Sequence, residues 1–88
     1  KIHLASTTIQ CTPEEKASIM AMLSSEIQNR DVDLIDGVKI SNKNSWILLM
    51  PDHSQPLIHV FAEGESPTER DRLIRNYAEK IKNFRNRI

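Results

Sequence analysis

Two apolar runs, Trp46 to Met50 and Leu57 to Ala62, flank a six-residue polar loop from Pro51 to Pro56. Each run carries β-branched or aromatic residues and is five or six residues long, as expected of neighbouring buried strands. A minimal hairpin needs only two connecting residues, commonly with Gly or Asn. The loop is therefore longer than chain reversal demands. Pro51 and Pro56 fix φ at its ends and withdraw two backbone donors, while Asp52, His53, Ser54 and Gln55 crowd hydrogen-bonding groups onto its tip. A polar loop held on rigid strands is where binding groups tend to sit.

The remaining chain supplies elements for those strands to pack against. Ile2 to Cys11 is rich in Thr, Ile and Leu and reads as a strand. Ile2 and Leu4 share one parity while Ile9 and Cys11 share the other, so a bulge or bend is expected. Thr12-Pro13-Glu14-Glu15 provides an N-cap, a proline at the first helical position and a glutamate three residues after the cap. Ile19, Met20, Leu23 and Ile27 form the stripe of the helix that follows. Asn29 to Asp33 interrupts the pattern, and Leu34, Val38 and Ile40 alternate as a strand with one core face. Ser41 to Ser45 is a turn by composition. Ser66-Pro67-Thr68-Glu69 repeats the helix-start signal, and a second helix is expected to about Phe84, with Leu73, Ile74, Tyr77, Ala78, Ile81 and Phe84 inward. Lys80, Lys82, Arg85 and Arg87 complement its negative end.

The order β-α-β-β-β-α predicts an α+β domain: a four-stranded, mainly antiparallel sheet with two helices on one face. Because Trp46 to Met50 is apolar on both parities, the second sheet face is expected to dock against a neighbouring domain.

The chain has 88 residues, one domain's worth, with 12 basic and 12 acidic side chains. Zero net charge removes the electrostatic footprint of a nucleic-acid binder. No run approaches the roughly 18 to 20 apolar residues of a membrane span. Lys1 already lies in a strand-like segment without an initiator methionine, which suggests a piece of a longer protein. The single Cys11 cannot form an internal disulfide and reads as a buried small hydrophobe, with the cytoplasm as the default location.

The segment from Asp36 to Gly64 resembles the C-terminal domain of the α-D-phosphohexomutases, the phosphomannomutase and phosphoglucomutase family. Asp36-Gly37, Trp46, Pro51, Pro56 and Glu63 fall where that family has a D-G strand, a tryptophan-bearing strand, a loop close to R-P-S-G-T-E-P and a strand ending in an acidic residue. Tyr77 lies on a long final helix, as in the family. The resemblance covers most of the chain. It implies a TATA-box-binding-protein-like sheet, a loop that grips the phosphate of a hexose phosphate, and a phosphoserine and Mg2+ on other domains of the parent.

The loop departs from the family at the positions that matter for that grip. Met50 stands in the arginine position, so the bidentate phosphate fork is absent. Asp52 replaces serine and places an anion where a dianion would sit; two unit charges about 4 Å apart interact by roughly 4 kcal/mol at an effective dielectric near 20. His53 takes the glycine or asparagine position, Ser54 keeps a hydroxyl, and Gln55 replaces glutamate. These changes predict a mutase-like domain with a degenerate phosphate loop, Pro51, Asp52, His53, Ser54, Gln55 and Pro56, with His59 as a possible accessory.

No catalytic residue is expected here. Asp52, His53 and Ser54 are adjacent on one loop, which does not converge a triad. His3, His53 and His59 lack zinc spacing, so neither metal nor cofactor is expected in this domain. His59 reads first as a partly buried, hydrogen-bonded histidine. Asp31, Asp33 and Asp36 read as a solvated turn, and Arg70, Arg72 and Arg75 as a solvated helix face. Three functions are compatible with the residues. The first is a structural or regulatory module of a sugar-nucleotide enzyme, as in mannose-1-phosphate guanylyltransferase fusions. The second is the substrate-phosphate domain of a working mutase, and the third an unrelated peptide- or nucleic-acid-binding module.

Overall fold

The computed structural model describes residues 3–26, 31–33, 37–41 and 43–87. In chain order these form β1 (His3–Gln10), α1 (Pro13–Glu26), β2 (Asp31–Asp33), β3 (Gly37–Ser41), β4 (Trp46–Pro51), β5 (Leu57–Gly64) and α2 (Pro67–Arg85). The four expected strands are present and antiparallel, and a three-residue β2 extends the sheet to the order β1-β5-β4-β3-β2. Asp31–Asp33 was expected as a turn. It is instead an edge strand, held by pairing of Asp31 with Lys39 and Asp33 with Gly37. Ile27, Leu34 and Asp36 lie outside the described residues.

Both helix starts form as their sequences dictate. The Thr12 N–H donates to Glu15 Oε1 at 2.8 Å while the Glu15 N–H donates to Thr12 Oγ1 at 3.1 Å, a reciprocal capping box. At α2 the Glu69 N–H donates to Ser66 Oγ at 3.1 Å. Pro67 stands in the first turn, where its missing N–H costs nothing.

Alternation then sorts the sheet into two faces. Val38 and Ile40, Ile47 and Leu49, and Ile58, Val60 and Ala62 point to one side, where Ile19, Met20, Leu23 and Ile81 of the helices close over them. Burying each such Val, Leu, Ile or Met side chain contributes about 1.5 to 3 kcal/mol, so this single layer holds the domain together. Leu73, Ile74, Tyr77 and Phe84 flank it half-buried, which makes α2 a shallower cover than its stripe suggests. Gly37 adopts φ +128°, and a Cβ there would run into the Leu49 carbonyl oxygen. Glycine is what lets β3 lie so close to β4.

β1 corrects one expectation. Its ladder with β5 is continuous from His3↔Gly64 to Gln10↔Leu57, with no bulge. The apparent change of parity arises because Leu4 lies on the uncovered face, 61% exposed, whereas Ile9 packs against the core and Cys11 is buried beyond the strand's end.

Candidate functional site

The reversal between β4 and β5 is tighter than its sequence suggested, since Pro51 already pairs with Ile58. Five residues remain as loop, Asp52 to Pro56, closed by the Asp52 N–H donating to the Leu57 carbonyl at 3.0 Å and the Leu57 N–H donating to that of Gln55 at 2.8 Å. Asp52 organises the interior. Its Oδ1 accepts from the backbone N–H of Ser54 at 2.8 Å, from that of Gln55 at 2.7 Å, and from the Ser54 hydroxyl at 3.2 Å. Its Oδ2 accepts from His59 Nε2 at 2.8 Å.

That arrangement favours the carboxylate over the acid. The His59 imidazole first, then the Ser54 and Gln55 N–H groups, hold the Asp52 carboxyl well below the usual range. The Asp52 side chain is 23% exposed, so the pair is neither fully solvated nor sealed. On the other side of the loop Lys16 reaches across from α1, its Nζ donating to the carbonyls of Asp52 at 2.5 Å and Gln55 at 3.1 Å. A carboxylate thus takes the loop's amides, and an ammonium takes its carbonyls.

Sequence reasoning missed Lys16. It stands 36 residues before Asp52 with no local signal linking them. His59 is half-buried and hydrogen-bonded, as its position suggested, with its ring stacked on Phe61 at a centroid distance of 6.4 Å. Met50 lies opposite His59 in the β4–β5 ladder. His53 and Ser54 are exposed at the tip; the Ser54 hydroxyl is bonded to Asp52 and His53 takes part in neither bond network, so no acid-base-nucleophile relay is assembled. Among the described residues no group of three His, Cys, Asp or Glu could hold a metal ion. Cys11 is 6% exposed and burial pushes its thiol pKa up, which leaves it an inert hydrophobe. Arg70 pairs with neighbouring Asp71 at 3.0 Å, and Arg72 and Arg75 are exposed.

The sheet face that no described helix covers begins at this loop. Reading across strands, it carries Leu4, Glu63, Trp46 and Ser41 in one row, Ser6, Phe61, Leu48 and Lys39 in the next, then Thr8, His59 and Met50, and finally Gln10 and Leu57. Apolar and aromatic groups hold its centre. Charges sit beside the aromatic: Trp46 Nε1 donates to Glu63 Oε1 at 2.7 Å, and Lys39 Nζ lies 4.9 Å from the Trp46 ring centroid. Trp46, Leu48, Met50 and Phe61 are each half-buried on this face. No helix among the described residues is long and apolar enough to cross a membrane.

Comparison with known proteins finds relatives that match most of this chain. A "Probable phosphoglucosamine mutase" from Methanopyrus kandleri is 32% identical over 71 residues, 78% of this chain and 16% of that protein. A second protein of that name, from Methanosphaera stadtmanae, is 31% identical over 87 residues, covering 91% of this chain and 18% of its own length. The "Phosphopentomutase" of Thermococcus kodakarensis is 31% identical over 78 residues, 81% of this chain and 17% of that protein. This chain therefore spans about a sixth of the length of the curated relatives it matches. No protein-family model matches it.

Proposed function

Because this chain belongs to the α-D-phosphohexomutase family, we propose that it is the C-terminal domain of a larger sugar-phosphate enzyme, retained for docking rather than for gripping phosphate. The observation that carries this reading is the occupancy of the loop. Phosphate would need the Ser54 and Gln55 N–H groups as donors, and Asp52 already holds both. Met50 supplies no guanidinium to compensate.

The work left to the domain falls to its open face, which fits the remainder of the parent protein. A parent joining a nucleotidyltransferase to a mutase-like region, such as a mannose-1-phosphate guanylyltransferase fusion, is the setting in which such a module would be structural or regulatory. Its Mg2+ would be held elsewhere in the parent, and its location would be cytoplasmic. A nucleotidyltransferase glycine-rich signature in the parent gene supports this setting; a phosphoserine loop with a D-x-D-x-D metal segment contradicts it.

A second reading, the substrate-phosphate domain of a working mutase, is favoured by the names its relatives carry. Isothermal titration separates the two. With glucose 6-phosphate or mannose 1-phosphate the first reading predicts no heat of binding at millimolar ligand, whereas binding that disappears in Ser54→Ala establishes the second.

A further inference from the structure

Two hydrogen-bonding groups stand side by side on the open face with nothing bonded to them among the described residues: Nδ1 of His59 and the hydroxyl of Thr8. His59 lies on β5 with Thr8 directly across from it on β1 and Met50 across from it on β4. Its other ring nitrogen, Nε2, is held by Asp52 Oδ2 at 2.8 Å. Asp52 is a carboxylate whose second oxygen already accepts two backbone N–H groups and a hydroxyl, so it has no proton to give and the imidazole supplies the hydrogen from Nε2. Nδ1 of the neutral ring is therefore a bare acceptor. The His59 side chain is 33% exposed, and its ring stacks on Phe61 at an interplanar angle of 22°. Thr8 is exposed. Met50 leaves the space beside them open: its Cγ lies 3.0 Å from where a Cβ on Gly37 would stand, so that side chain leans toward β3.

We propose that Nδ1 of His59 and the hydroxyl of Thr8 form a subsite for two adjacent hydroxyls of an uncharged polyol, with Asp52 as the positioning residue that keeps Nδ1 free of hydrogen. Side chains directly opposite in an antiparallel pair have Cβ atoms about 4.5 to 5.5 Å apart, a separation that neighbouring hydroxyls on one ligand can bridge. A bare nitrogen requires a donor and a hydroxyl gives one, while Thr8 can meet the second hydroxyl as donor or as acceptor. Charge selects against other oxygen ligands. The Asp52 carboxylate sits 2.8 Å from the same imidazole, so a phosphate or carboxylate placed on Nδ1 would face an anion and an acceptor with no hydrogen to offer. The Phe61 ring beside His59 supplies apolar contact for the ligand's carbon side. The subsite goes beyond the docking role of this face, since it uses only the row of β1 and β5 next to the loop.

Ring-nitrogen NMR of this chain at pH 8, with cis-1,2-cyclohexanediol as the probe, tests both parts. In the wild type Nδ1 of His59 should resonate as a bare nitrogen and Nε2 as a protonated one. Asp52→Asn should reverse the two, because its carboxamide oxygen still accepts from Ser54 and Gln55 while its NH2 turns to Nε2 and drives the hydrogen to Nδ1. A histidine held by packing alone would not switch. The diol should shift the His59 ring and Thr8 amide signals saturably, half-complete at about 0.1 M, whereas cyclohexanol and inorganic phosphate at the same concentration should not. Thr8→Val, which keeps the side chain's shape, and His59→Phe should each weaken the diol by roughly threefold to tenfold. Hydrogen on Nδ1 in the wild type overturns the proposal. So do shifts that are absent or never saturate, and so does a diol response that survives both substitutions.

Discussion

Asp52 sets both the shape of the loop and its response to acid. Its folded-state pKa lies below the ordinary carboxylate value of about 3.9, so its contribution to stability is complete above that value and is lost as pH falls through it toward the lowered one. Urea denaturation of wild type and Asp52→Asn should therefore show the wild type's advantage at pH 7 shrinking by pH 3; a pH-independent difference would contradict the assignment. The residue types of the loop, Met50 at its entry included, were legible in the sequence. The role of Asp52 was not. Its charge alone suggested repulsion of phosphate, whereas its position shows a carboxylate already bonded to the donors in question. Lys16 was invisible for a related reason, since its partners are carbonyls that any residue could supply.

Among the elements, the helices and their caps were the most readable because capping chemistry is local. Thr12→Ala removes the hydroxyl half of a reciprocal pair and Ser66→Ala a single bond, and each should cost about 1 kcal/mol, measured as a lower urea midpoint with unchanged slope. Replacing Gly37 by Ala should cost more than either, because a positive-φ residue and a carbonyl oxygen both resist the methyl group. β2 escaped notice because three residues with two aspartates carry no strand pattern; pairing with β3 makes the strand. Parity in β1 misled because it presumes that every large apolar residue points to the core, and Leu4 does not.

For the whole molecule, order and layering followed from the alternation of apolar positions, while the two-sided apolarity of β4 led to the expectation that the second sheet face docks against a neighbouring domain. Leu48 lies half-buried in the middle of that face and Trp46 in its end row beside Glu63. Leu48→Lys should leave the thermal midpoint of the domain nearly unchanged, since the residue is outside the core, yet should weaken association with the rest of the parent protein; a large loss of stability would mean that this face is already part of the fold.

The claim that the loop's anion donors are filled by its own carboxylate is tested most directly by following the Ser54 and Gln55 amide resonances during titration with inorganic phosphate. Asp52→Ala empties the donors and should show saturable shifts, while the wild type and Asp52→Asn, whose amide oxygen can accept the same two N–H groups, should show none. An Asp52→Asn domain that responds like Asp52→Ala would mean that charge alone, and not occupied donors, keeps phosphate out.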